Sequence, residues 1–223
     1  MRYFLFSIAV LFITLQSAAQ QPKWDSTFRP GSYALKVDQF RSYPNSRKDI
    51  IFLGNSITAG ADWNELLGLP QARNRGISGD ITYGVLERLD EVTAGKPAKV
   101  FVLIGINDMA RSIPDSVILS NYEKIIHRIR KESPTTRIYF NTLLPVNNSF
   151  PDKNHFNKDE HIAALNAGLR KIAAREKITL IDIHDHFLDK DKKLDKQYTY
   201  DGLHLNAAGY THWASLLKPH IAN

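Results

Sequence analysis

Asp49–Gly60 reads DIIFLGNSITAG: an apolar, branched and aromatic run passes without a break into a Gly-Asn-Ser turn, where a helix should begin. A short continuous apolar run ending at a turn is the pattern of a strand buried on both faces. Similar runs occur at Lys99–Ile104 (KVFVLI), Arg137–Thr142 (RIYFNT) and Ile178–Ile183 (ITLIDI), with a weaker one at Gln71–Arg75. Helical periodicity fills the intervals. Ile81–Val92 places Val85, Leu86 and Leu89 on one face, and Asp115–Lys131 aligns Ile118, Tyr122, Ile125, Ile126 and Ile129. Lys158–Glu176 and Ala207–Ile221 complete the set. Strands alternating with helices predict an α/β fold: a flavodoxin-like, three-layer α/β/α domain with a parallel sheet of about five strands. Ligands of such sheets bind at the carboxyl ends of the strands. That is the position of the Gly-Asn-Ser turn.

The domain so defined covers residues 47–223 and follows an arm at 20–46 with one short helical stretch near Lys36–Ser42. Residues 1–19 have the pattern of a signal peptide. Arg2 precedes the apolar run Tyr3–Leu15, and Ser17-Ala18-Ala19 supplies small residues for cleavage after Ala19. The run is short for a membrane span, which needs about 20 apolar residues, although an uncleaved anchor is the alternative. The expectation is an exported bacterial protein, periplasmic or secreted, with no membrane span in its mature form. The chain has no cysteine, so export brings no disulfide framework. The net charge of +6 is scattered, and the basic clusters Arg128–Lys131 and Lys190–Lys196 carry no interleaved aromatics. This argues against a nucleic-acid partner.

Ser56 at a helix start is, by itself, a better helix cap than a nucleophile. Asp201 and His204, three apart in TYDGLHLNAAGY, can place a carboxylate on one imidazole nitrogen with the other facing outward. Taken alone they are equally well a turn entering the last helix. Gly76 and Gly79 (NRGISGDIT) and Asn107 (IGIND) also stand at strand ends, where tight turns explain the glycines and an Asx turn explains the asparagine. A serine hydrolase needs all these types together: a hydroxyl, a histidine to take its proton, a carboxylate to orient the histidine, and donors aimed at the developing oxyanion.

As a set, GNSIT (Gly54–Thr58), GISGDIT (Gly76–Thr82), GIND (Gly105–Asp108) and DGLHL (Asp201–Leu205) resemble the four sequence blocks of the SGNH hydrolases, the GDSL-type esterases and lipases. The resemblance spans Asp49 to the C-terminus. It implies Ser56 as nucleophile, His204 as general base and Asp201 as its orienting carboxylate. It also implies an oxyanion hole of the Ser56 and Gly79 N–H groups and the Asn107 side chain. Asn55, Asp80 and Asp108, beside these residues in the blocks, are candidates to line the pocket. Asn55 stands where the family carries Asp, and Ile106 replaces a glycine of the third block. The implied activity is hydrolysis of short acyl esters, acetyl foremost, on a small molecule or glycan, with no metal or other cofactor. The alternatives are a lysophospholipase or thioesterase, or a non-catalytic carbohydrate-binding module. The GNSITAGA turn lacks the lysine and spacing of a phosphate loop, and no GxSxG elbow occurs. His184, Asp185 and His186 read as a polar surface turn rather than a metal site.

Overall fold

A computed structural model describes residues 24–221. In chain order these form α1 (Tyr33–Ser42), β1 (Ile50–Gly54), α2 (Ser56–Ala59), α3 (Trp63–Leu67), β2 (Ala72–Gly76), α4 (Thr82–Glu87), α5 (Leu89–Thr93), β3 (Lys99–Leu103), α6 (Ile106–Ala110), α7 (Asp115–Glu132), β4 (Arg137–Asn141), α8 (Asp159–Glu176), β5 (Thr179–Ile181) and α9 (Ala207–Ile221). The strands make one parallel sheet in the order β2-β1-β3-β4-β5. The chain winds one way from β1 to β2 and the other way from β3 onward. The reversal opens a crevice at the carboxyl ends of β1 and β3, where such sheets hold ligands.

Each strand was foreseen to within about two residues at either end, because the sheet is covered on both faces and its residues are correspondingly apolar. On one face Phe52, Phe101 and Tyr139 occupy one register row across β1, β3 and β4. Their rings stack at centroid distances of 5.2 and 4.5 Å. Trp63 of α3 lies on Phe52 at 4.0 Å, and Trp213 of α9 meets Trp63 edge-on at 4.9 Å. On the other face α7 buries Ile118, Ile125, Ile126 and Ile129 completely and packs on α4, α5 and α8. Each such side chain contributes about 1.5–3 kcal/mol by leaving water.

The single helix expected over Ile81–Val92 is two helices. The ladder breaks at Arg88 (φ −100°, ψ 14°), whose guanidinium is fully buried and turned toward the sheet. Arg88 Nη2 donates to the carbonyls of Gly54 and Arg75, at the ends of β1 and β2. Bonds to those strand ends take the place of a continuous helix. The short helices α3 and α6 were also not anticipated; at five residues each they show too little periodicity.

The described part of the arm packs on the domain. Tyr33, Val37 and Phe40 of α1 form a small second core with Ile77, and the Tyr33 hydroxyl donates to the Gly84 carbonyl. The segment proposed as a signal peptide lies outside the described residues. Among the described residues no helix is long and apolar enough to cross a membrane.

Candidate active site

Asn55, the residue between β1 and α2, is the N-cap: its Oδ1 accepts the Ile57 N–H at 3.0 Å. The reading of Ser56 as the cap, which its own stretch favoured when taken alone, is therefore corrected. Ser56 is the first residue of α2, and its hydroxyl is free of capping duty. Gly76 lets β2 run close beneath α2; a Cβ there would lie 2.2 Å from the Ala59 nitrogen. Asn74 Nδ2 donates to the carbonyls of Thr58, Ala59 and Ala61, and Tyr210 of α9 donates its hydroxyl to the Ile57 carbonyl at 2.8 Å. A four-residue helix has little stability of its own, and these contacts hold it.

His204 arrives from the turn before α9. Thr199 Oγ1 accepts the Gly202 N–H at 2.9 Å and donates to the His204 carbonyl at 2.6 Å. Asp201 Oδ1 accepts the backbone N–H groups of Leu203 and His204, at 3.0 and 2.8 Å. Asp201 Oδ2 then sits 2.8 Å from His204 Nδ1, and His204 Nε2 lies 2.9 Å from Ser56 Oγ. A carboxylate can only accept, so Nδ1 carries the proton and Nε2 is left to accept from the serine. Partial burial pushes the Asp201 carboxyl up. The bonds from the His204 ring, the two backbone N–H groups and the His204 charge outweigh it, bringing the carboxyl down to about 2. Lys153 Nζ lies 3.5 Å from the same Oδ2.

Gly79, at φ +81°, and Asn107 of α6 line one cleft of about 480 Å³ with Trp24, Asp25, Arg111 and His155. Asn107 Nδ2 donates to the Asp80 carbonyl at 2.9 Å, and its Oδ1 lies 2.9 Å from His155 Nε2.

Asn55, Asp80 and Asp108 do not line that cleft; all three are buried. Asp80 accepts from Arg88 Nε at 3.0 Å in a closed cluster with Glu91 and Arg75. Asp108 accepts the Thr82 N–H at 3.0 Å and the Thr82 hydroxyl at 2.6 Å, tying α6 to α4. Burial raises its carboxyl to about 7 against the opposing Thr82 bonds. These carboxylates hold the loops behind the site together. His184 is spent on the Leu143 carbonyl at 2.8 Å, away from the cleft. Two neighbours were missed altogether: His155 and Lys153, from the polar stretch between β4 and α8. No spacing or motif there marks them.

Hydroxyl, imidazole and carboxylate in series at the carboxyl edge of a parallel sheet can activate the hydroxyl for attack on an ester carbonyl. That arrangement and this topology fit the class of ester hydrolases built on an open α/β sheet. Residues 52–212 match the model of the GDSL-like Lipase/Acylhydrolase family, and the chain belongs to that family, as an enzyme acting on ester bonds. Platelet-activating factor acetylhydrolase IB subunit alpha2 of Rattus norvegicus is 29% identical over 177 residues, 77% of this chain and 73% of that protein. A solved structure from Streptococcus pneumonia, provisionally assigned as a platelet activating factor, superposes with a TM-score of 0.79 at 30% identity. It covers 85% of this chain and 92% of that one. A provisionally assigned acylhydrolase from Bacteroides fragilis gives 0.73 at 26% identity, covering 83% and 93%.

Proposed function

We propose that the protein is an exported serine esterase that removes short acyl groups, acetyl foremost, from hydroxylated substrates such as acylated carbohydrates. The observation that carries the reading is the unbroken series from Ser56 Oγ through His204 to Asp201, with spacings of 2.9 and 2.8 Å. His204 Nε2 takes the Ser56 proton as Oγ attacks the ester carbonyl. The oxyanion rests on the N–H groups of Ser56 and Gly79 and on Asn107 Nδ2. His204 then gives its proton to the departing alcohol. Water repeats the sequence on the acyl-enzyme, releasing the acid and restoring Ser56. The acetyl preference draws support from the acetylhydrolases among the relatives. The carbohydrate preference draws support from Trp24, Asp25 and Arg111 in the cleft, whose flat and polar surfaces suit a polyhydroxylated alcohol. The apolar run at Tyr3–Leu15 and the small residues after it support export.

The decisive experiment is turnover of p-nitrophenyl acetate, p-nitrophenyl octanoate and an acetylated xylo-oligosaccharide by the wild type and Ser56→Ala. Wild type is expected to prefer acetate over octanoate and to release acetate from the sugar, and S56A to lose all of it. Equal rates in the two proteins reject the nucleophile assignment. Preference for octanoate rejects the short-acyl reading.

A further inference from the structure

We infer that His155 is a positioning residue for acyl transfer: by donating its Nε2–H to Asn107 Oδ1, it fixes the amide so that an N–H, and not the oxygen, faces the cleft. The inference rests on the reading of Asn107 as an oxyanion donor. The two ends of a carboxamide have nearly the same shape and opposite hydrogen-bonding character. A flipped Asn107 would set an acceptor beside a developing negative charge, converting stabilisation into repulsion. Two contacts oppose the flip. Nδ2 gives one proton to the Asp80 carbonyl at 2.9 Å, and Oδ1 lies 2.9 Å from His155 Nε2. An amide oxygen only accepts, so His155 must hold its proton on Nε2. The second Nδ2 proton has no acceptor among the described residues. It remains for the cleft, which Asn107, Gly79 and His155 line together.

The rest of the His155 ring fits this role. Its Nδ1 is buried and has no hydrogen-bonding partner among the described residues, as expected of an imidazole kept neutral. Burial first, and then the neighbouring charge of His204, hold its pKa below the ordinary range. A neutral ring can orient Asn107 without adding a positive charge beside His204 when that residue accepts the serine proton. The backbone around it is anchored: the Phe156 N–H donates to the Lys153 carbonyl at 2.9 Å and the Phe156 side chain is buried. Lys153 of the same turn reaches Asp201. One turn between β4 and α8 thus touches both the oxyanion side and the carboxylate end of the site.

The test compares kcat and KM on p-nitrophenyl acetate for His155→Leu, His155→Gln, Asn107→Ala and the N107A/H155L pair. Loss of a whole oxyanion donor costs about 100- to 1000-fold in kcat. H155L, which leaves the donor in place but free to flip, is expected to lose about 10- to 100-fold in kcat with KM within about threefold. H155Q, whose amide can still donate to Oδ1, recovers to within several-fold of wild type. In the N107A background H155L adds nothing, because there is no amide left to orient. H155L at wild-type kcat, H155Q as impaired as H155L, or a full multiplicative loss in the double variant each overturns the proposal. N107A at the wild-type rate would sink the oxyanion reading itself, and S56A tests that of the nucleophile separately. If the leucine variant loses its cooperative melting transition, ¹⁵N chemical shifts of the His155 ring in wild type decide. An Nε2–H neutral tautomer at pH 7 supports the proposal, and an Nδ1–H tautomer overturns it.

Discussion

Replacing Arg88 by Met tests whether the site stands on a buried ion cluster. Arg88 is fully buried and bonds Asp80 Oδ2 at 3.0 Å, Glu91 Oε1 at 3.0 Å, and the carbonyls of Gly54 and Arg75 at 3.2 and 2.9 Å. Methionine fills much of the volume and removes every donor. Glu91 keeps Arg75 Nε at 2.9 Å, whereas Asp80 keeps only the Ile81 N–H at 3.0 Å. Stripping one partner from a buried pair costs about 3–5 kcal/mol, largely because a charge is left desolvated. R88M is therefore expected to lose about 4 kcal/mol, a large share of the 5–15 kcal/mol typical of a domain. Most of that cost sits on the Asp80 charge, so D80N/R88M should recover about half, and the two substitutions should be strongly non-additive. Burial already raises the Asp80 pKa against the pull of Arg88. Without Arg88 it rises further, and an acid raised in the folded state favours folding below its unfolded pKa and loses that benefit as pH rises. The R88M deficit should accordingly narrow as the pH is lowered. Urea unfolding with a shared m-value measures all three numbers. An R88M loss under about 1 kcal/mol, or a double variant costing the sum of the singles, refutes the reasoning.

Asp201→Asn removes the carboxylate that fixes the His204 tautomer and is expected to lower kcat about 1000-fold or more with little change in KM. Steady-state kinetics on p-nitrophenyl acetate check it, and kcat within tenfold of wild type would contradict the assignment. Since Asp201 is held near 2, its contribution to stability is present above pH 3.8 and lost as pH falls from there toward 2. Asp108 behaves oppositely. Its carboxyl is raised to about 7, so its contribution is full below pH 3.8 and is lost as pH rises through about 7. The stability of wild type relative to Asp108→Asn should therefore fall by about 2 kcal/mol between pH 5 and pH 8, by urea titration at each pH. A difference independent of pH would show that Asp108 carries its charge at no cost.

How much of this was legible in the sequence follows from how far apart the interacting residues lie along the chain. Strands such as Lys99–Leu103 declare themselves because burial on both faces demands apolar residues one after another. Asp201 and His204 were legible because a spacing of three lets one Asx turn bring carboxylate and ring together, and the turn is observed. Between Asn55 and Ser56 the sequence cannot choose a cap, since both types cap helices well. The choice follows from geometry: the Asn55 side-chain Oδ1 accepts the Ile57 N–H, and the serine falls one place inside the helix. Asn55 keeps the acceptor that an aspartate would supply, so the cap survives the change. The cost is a buried Nδ2 with no partner among the described residues.

The residues that stayed hidden share one property: they act on backbone carbonyls or on other side chains far away in sequence. Arg88 lies inside the helix expected over Ile81–Val92, and nothing in that pattern gives it a role; its carbonyl partners on β1 and β2 do. Yet those partners explain why the cluster belongs to the site. Arg88 fastens the ends of the two strands that lead into Ser56 and Gly79, and it holds Asp80, whose own carbonyl accepts from Asn107. The side proposed to hold the oxyanion is thus assembled from three loops that meet on one buried, charge-balanced cluster, with His155 closing it from the fourth side. Preorganised donors are effective because they need not reorganise when charge develops, and that requires neighbours fixed beforehand. A buried ion cluster between strand ends is a costly way to fill a core, and hydrophobic replacement of such a cluster as a whole, both signs together, is often neutral for stability. Its retention here makes sense if it is the position of Asp80, and through it of Asn107, that the cluster serves. D80N/R88M should then regain stability without regaining kcat, and recovery of both together would reduce the cluster to a structural role.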